Sequence, residues 1–160
     1  NDIVIVANTR ASKKLYVLPF IKEELVLITA KKHPLAQKDS VHLKEVEPYP
    51  FILREEGSGT RNTILGAFQS MNIKPSSFIE VKSTDFIKEW VSHGKGVSIL
   101  VKRAVADDEL DSLKIVSLKE RLSMEISVCF LKSRKNDRVI QGFSDHVTEL
   151  SQKPPFKAGG

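Results

Sequence analysis

The stretch FILREEGSGTRNTIL, residues 51–65, joins a short apolar run to a helical pattern through a Gly-Ser-Gly-Thr turn. The run at its start is typical of a buried strand. Beyond the turn, Ile64, Leu65, Phe68 and Met71 fall on one face of a helix. The stretch therefore predicts a strand, a tight turn and a helix in direct succession, which is a building unit of α/β proteins.

The same succession of strand and helix recurs on both sides of this unit. Strands are predicted at residues 2–7, 23–30, 48–53, 78–82, 96–101, 113–118 and 124–131. Helices are predicted after residues 57–60, between 83–85 and Gly94, within 102–110 and from 136–137 onwards. This alternation predicts an α/β fold with largely parallel sheets. The first strand, DIVIVA, is a continuous β-branched run and is expected to be buried on both faces.

The turn at Gly57 to Thr60 has the chemistry of a general anion receptor. The first N–H groups of a helix lack intrahelical partners, and the helix dipole adds positive potential there. Gly57 and Gly59 allow close backbone approach or positive φ. Ser58 and Thr60 can cap the helix or bind an oxyanion, and Arg54 or Arg61 could add a charge-assisted hydrogen bond. A plain capped turn explains the same residues equally well, because the turn has neither of the two nucleotide-binding spacings, Walker A and GxGxxG.

Catalytic and metal-binding alternatives lack a supporting pattern. Ser58 stands in Gly-Ser-Gly and not in Gly-x-Ser-x-Gly. The four histidines have no metal-ligand spacing, and Glu55-Glu56 is expected to be solvated. Cys129 alternates with apolar residues in a predicted strand, which favours an inert buried or half-buried thiol. We therefore predict no catalytic residue, no metal and no cofactor.

The composition of the chain limits the other classes of function that it can have. The 160 residues carry a formal net charge of +5, with 41% hydrophobic and 28% charged residues, as in an ordinary soluble globular chain. The lysines and arginines are scattered and form no basic stripe, so direct nucleic-acid recognition is not indicated. Apolar runs are too short to span a bilayer, and a single cysteine fits a reducing cytoplasm. We expect a cytoplasmic location and no membrane partner.

Several stretches, taken in order, resemble the effector-binding domain of LysR-type transcriptional regulators. They are NDIVIV, EELVLITAKKHPLA, FILREEGSGTR, VKSTDFIKEWVSHGKGVSIL and SMEISVCFLKSRK. The resemblance runs from residue 1 to about residue 150. Two positions depart from the common pattern: Lys95 stands between glycines, and Val101 replaces a frequent proline.

The resemblance implies a fold like that of the type 2 periplasmic binding proteins, with two lobes joined by two crossover strands. The crossovers would be EELVLITA and SMEISVCFL. Residues 28–125 would form the second lobe, and residues 1–27 and 126–160 would form part of the first. The winged helix–turn–helix and the opening part of the first lobe would lie upstream of this chain.

The resemblance also implies an effector cleft between the lobes. Ser58, Gly59, Thr60 and Arg61 would face it from the second lobe, and Asn8 and Thr9 from the first; Ser83, at the start of the next helix, completes the predicted set. The expected ligand is a small, anionic metabolite. The domain would pair into a dimer or tetramer, and DNA would be bound only by the helix–turn–helix. A solute-binding protein of the same fold is the alternative, and an enzyme of this fold is a third reading without catalytic groups behind it.

Overall fold

The computed structural model describes residues 3–9, 12–105 and 107–152. Asp2 of the first predicted strand and Ala106 of the short predicted helix lie outside the described residues. The chain divides into two compact units, one holding Glu23–Met124 and the other holding the chain up to Lys22 and from Glu125 onwards. The predicted lobes instead divide the chain at residues 27/28 and 125/126.

The strands and helices of the described residues follow the predicted order. The strands are β1 (Ile3–Ala7), β2 (Leu15–Ala30), β3 (Ser40–Val41), β4 (Pro50–Arg54), β5 (Ser77–Val81), β6 (Val97–Val101), β7 (Leu113–Leu118) and β8 (Ser123–Leu131). The α-helices are α1 (Gly59–Ser70), α2 (Thr84–Ser92) and α3 (Arg138–Gln152). Short 3₁₀ helices lie at Pro34–Gln37, Leu43–Val46, Lys102–Ala104, Asp107–Asp111 and Lys132–Arg134. No helix in these residues is long and apolar enough to cross a membrane.

In the unit Glu23–Met124, β4 lies between two parallel neighbours, β5 and β6. The strand β2 pairs antiparallel with β6 and β7, and the short β3 runs parallel to β7. The expectation of largely parallel sheets is therefore wrong in part. Parallel pairs occur where α1 and α2 follow β4 and β5, whereas the long strand β2 needs no crossover helix to pair antiparallel.

Alternate residues of β4 point to the two faces of the sheet, and each face carries a helix. Phe51 packs in a core cluster with Ile64 and Phe68 of α1. Ile52, the next residue, packs in a second cluster with Ile87 of α2. A strand covered on both sides has no polar face, which explains the unbroken apolar letters at residues 51–53.

In the other unit, β8 lies between β1 and β2. The strand β1 runs antiparallel to β8, with Ile3 opposite Phe130, and its side chains are exposed: Val4 45%, Ile5 62% and Val6 36%. The expectation of a parallel strand buried on both faces is therefore wrong. A run of β-branched residues reports a preference for extended backbone, but it specifies neither the direction of pairing nor the number of covered faces.

Three local predictions are confirmed. Gly94 has φ +71 directly after α2 and donates its N–H to the Val91 carbonyl. The carboxylate of Asp137 accepts the Val139 N–H at the start of α3. Cys129 is a buried free thiol, 2% exposed.

Candidate anion-binding site

Two helices begin where two neighbouring parallel strands end. Arg54, the last residue of β4, lies opposite Val81, the last residue of β5. The helix α1 starts five residues after β4 ends, and α2 starts three residues after β5 ends. The two helices cover opposite faces of the sheet, and both begin at this edge. The carboxyl edge of parallel strands is where α/β proteins bind ligands.

The start of α1 offers backbone donors to an anion. Ser58 is the N-cap, in extended conformation, and its Oγ accepts the Arg61 N–H at a long 3.5 Å. The first backbone bond of the helix runs from Asn62 N to the Ser58 carbonyl, at 3.0 Å. The N–H groups of Gly59 and Thr60, and the Thr60 hydroxyl, have no hydrogen-bond partner within the described part of the chain. This helix start can therefore donate to a bound oxyanion.

The glycine that requires a special backbone is Gly57. Its φ is +89, and a Cβ added there would meet no atom within 4 Å. Gly59 is the first residue of α1 and is not among the described glycines with positive φ. The turn therefore depends on the backbone freedom of Gly57, and the expected role of Gly59 is limited to close approach of a ligand.

The start of α2 is built in the same way. Ser83 is exposed and caps the helix, with its Oγ accepting the Phe86 N–H at 3.3 Å. In the described residues, the N–H groups of Thr84 and Asp85 have no acceptor. The Thr84 hydroxyl accepts a hydrogen bond from Arg54 Nη1 at 2.9 Å, which links the end of β4 to the start of α2.

The guanidinium of Arg54 also holds the carboxylate of Glu55 with two hydrogen bonds. Nε donates to Oε2 at 2.8 Å, and Nη2 donates to Oε1 at 2.9 Å. This pairing lowers the pKa of Glu55 to about 2 and raises the pKa of Arg54. Glu55 is therefore ionised, and the expectation that it is simply solvated is wrong. Glu56, beside it, is exposed and has no partner among the described residues.

Arg61 points back across the end of β4. Its Nη1 donates to the Arg54 carbonyl and to Glu80 Oε2, both at 2.9 Å. In this structure its cation is thus paired, and it fixes the junction between β4 and α1. Any contribution of Arg61 to a ligand would come from its remaining N–H groups.

Asn8 and Thr9 lie in the other unit, after β1. Asn8 has φ +51; its N–H donates to the Glu125 carbonyl at 2.7 Å, and its Oδ1 accepts the Glu125 N–H at 3.1 Å. These two bonds extend the β1–β8 ladder, so the Asn8 side chain is used structurally. The Thr9 Oγ1 is buried and has no hydrogen-bond partner in the structure as described.

The structure thus brings Ser58, Gly59, Thr60, Arg61 and Ser83 to one edge of one sheet. From the sequence, Arg54 is predicted only as a possible second donor, and neither the contact of Thr84 nor the pairing of Glu55 is predicted. The contact of Arg54 with Thr84 spans thirty positions and depends on β4 lying beside β5. The signal in the sequence for this second helix start is the helix-capping triplet at residues 83–85, which directly follows a predicted strand.

An open depression of about 360 Å³ lies at the other end of α2, lined by Ala30, Lys31, Lys32, Ser92, His93, Gly94 and Ser112. Lys31 and Lys32 bring positive charge to this depression, whereas the carbonyl end of α2 presents acceptors and negative potential, so it lacks the N–H donors of a helix start. Nor does any group of three His, Cys, Asp or Glu side chains in the described ranges hold the arrangement of a metal site.

A family model described as "LysR substrate binding domain" matches residues 1–152. The HTH-type transcriptional regulator CysL of Bacillus subtilis is 28% identical over 86% of this chain and 48% of its own length. The HTH-type transcriptional activator CmpR of Synechocystis is 26% identical over 92% of this chain and 49% of its own length. The chain therefore spans about half the length of these curated relatives.

Solved structures match with the same fold. The Synechocystis CcmR regulatory domain in complex with 2-PG has a TM-score of 0.82 and 26% identity, over 96% of this chain and 74% of that one. The effector-binding domain of QuiR in complex with shikimate has a TM-score of 0.79 and 27% identity, over 94% of this chain and 71% of that one. These structures confirm the predicted α/β fold, which resembles the fold of the periplasmic binding proteins. The chain belongs to the LysR substrate-binding domain family.

Proposed function

We propose that this chain is the effector-sensing domain of a LysR-type transcriptional regulator and that it binds a small anionic metabolite at the starts of α1 and α2. Support for the regulator comes from the family and from relatives that are named transcriptional regulators. The solute-binding alternative has no comparable support. Support for an anionic effector comes from two similar domains whose ligands, 2-PG and shikimate, are small anions.

One observation carries the proposed location. At the edge formed by β4 and β5, the N–H groups of Gly59 and Thr60 are free at the start of α1, and the guanidinium of Arg54 reaches Thr84 at the start of α2. Backbone N–H groups, a helix dipole and a guanidinium fork all favour the same class of ligand, a carboxylate or a phosphate. Ser58 and Ser83 act mainly as caps, and Thr60 contributes its hydroxyl.

The remaining assignments are parts of the same proposal. The two compact units correspond to the two lobes, and Asn8 and Thr9 remain predicted effector contacts in the first of them. Ligand binding shifts the population of domain arrangements within a homo-oligomer, and a helix–turn–helix outside this chain reports the shift to DNA. No catalytic step is involved, and the regulator works in the cytoplasm.

A thermal-shift screen of small carboxylates and phosphates, followed by titration of each binder, tests this proposal. A true effector raises the melting temperature by mass action. Thr60→Ala is expected to weaken binding by about 1–2 kcal/mol, the scale of one hydrogen bond to a charged group.

Ser70→Ala is the matched control, because Ser70 lies at the opposite end of α1 and its hydroxyl only donates to the Ala67 carbonyl. It should leave the affinity unchanged. Equal affinities for all three proteins, each shown to be folded, would place the effector away from the start of α1.

A further inference from the structure

The pair formed by Arg54 and Glu55 imitates a bound ligand. Arginine binds carboxylates and phosphates through two parallel hydrogen bonds, and that geometry is occupied here by an internal carboxylate. Its third contact, to the Thr84 hydroxyl, holds the guanidinium at the start of α2. The cation best placed to recognise an anion at this edge is therefore already satisfied.

The pair is also accessible to exchange. The side chains of Arg54 and Glu55 are 28% and 30% exposed, so neither is buried in the core. Ion pairs exposed to this degree have a small net stability, because water screens the attraction and solvates the released partners. A ligand carboxylate can take the place of Glu55 without leaving a buried charge unpaired.

We propose that Glu55 is a built-in competitor that occupies Arg54 until a ligand bearing a carboxylate or a phosphate displaces it. This inference rests on the proposed function and names the residue pair that selects the ligand class. Arg54 is the anion-binding residue, and Glu55 sets the threshold of affinity that a ligand must exceed.

Displacement by exchange has two consequences for selectivity. A neutral ligand cannot compete with an ionised carboxylate for the guanidinium, so it leaves the pair intact. Every anion is held back as well, because its apparent dissociation constant equals the intrinsic one divided by the fraction of Arg54 that is free of Glu55. The pairing keeps the pKa of Glu55 at about 2, so protonation at ordinary pH does not free Arg54.

Calorimetric titration of the chain and three variants with shikimate and with inorganic phosphate tests this inference. Glu55→Gln removes the competing charge and is expected to tighten anion binding about three- to fivefold. Glu56→Gln removes the same charge one position later, where the structure describes no contact with Arg54, and is expected to change affinity less than twofold. Arg54→Lys keeps the charge but loses the two-pronged geometry, and should weaken binding of both probes.

A second readout follows Glu55 itself. Its pKa, measured from the side-chain carbon shift, should rise from about 2 towards the ordinary glutamate value when the chain is saturated with shikimate. Repulsion from the bound anion also raises the pKa of a carboxylate that keeps its partner, so the rise supports displacement only together with the tightening by Glu55→Gln.

The outcomes separate this inference from the proposed function. Equal tightening by Glu55→Gln and Glu56→Gln, or unaltered binding to Arg54→Lys, would overturn the competitor while anion binding stands. A Glu55 pKa that stays low in the saturated chain would overturn it too. Failure of both probes to bind the wild type and Glu55→Gln would overturn the competitor together with the proposed anion site.

Discussion

At the scale of single residues, the imidazole of His33 serves as a helix cap. Its Nδ1 accepts the Leu35 N–H at 3.1 Å. Its ring packs edge-on against the Tyr49 ring, with 4.4 Å between the two ring centroids. Burial lowers the pKa of His33 from its ordinary value of 6.5. Only the neutral ring can accept this hydrogen bond, so the cap exists while His33 is unprotonated.

This cap predicts a loss of stability in acid. Because the folded pKa lies below the unfolded one, the contribution is fully present above about pH 6.5 and is lost as pH falls through the folded pKa. Urea unfolding between about pH 7.5 and about pH 5 should show the wild type losing about 0.5–1 kcal/mol more than His33→Asn. Asparagine can cap without titrating, so parallel pH profiles would refute the assignment.

At the scale of elements, the register of β6 against β4 depends on Gly96. A Cβ at this position would lie 2.6 Å from the Pro50 carbonyl oxygen, which is backbone and cannot rotate away. Gly96→Ala is therefore expected to lower the free energy of unfolding by about 1–3 kcal/mol through displacement of the strands.

Gly66→Ala is the matched control, because Gly66 lies in α1 and an added Cβ meets nothing within 4 Å. Helix propensity predicts a gain of about 0.5–1 kcal/mol there. Chemical denaturation of both variants measures the two effects. A Gly96→Ala protein as stable as the wild type would mean that the strands separate at little cost.

The elements also mark what sequence patterns can and cannot specify. Strands covered by helices, such as β4 and β6, were predicted to within a few residues because their apolar letters are continuous. The first half of β2 was missed, since Leu15 to Phe20 is only half-buried and contains Pro19, which weakens a strand pattern. The two-residue β3 carries no periodicity to detect.

At the scale of the whole molecule, local chemistry was predictable and long-range pairing was not. The turn at Gly57 to Thr60 lies within a few residues of chain, so its capping chemistry could be predicted from the letters. The bond between Arg54 and Thr84 requires β4 and β5 to be neighbours, which no single-sequence pattern specifies. The family resemblance predicted the fold, and the structure showed how each of the two candidate cations, Arg54 and Arg61, is paired.

The central claim is that the effector lies at the starts of α1 and α2, where β4 and β5 end. Its most direct test is an amide NMR titration of the isotopically labelled chain with a binder from the thermal-shift screen. The largest shifts are expected at Gly59, Thr60, Thr84 and Asp85, whose N–H groups are free to donate in the described structure. Shifts concentrated instead around Lys31, Lys32 and His93, in the depression at the other end of α2, would contradict the claim.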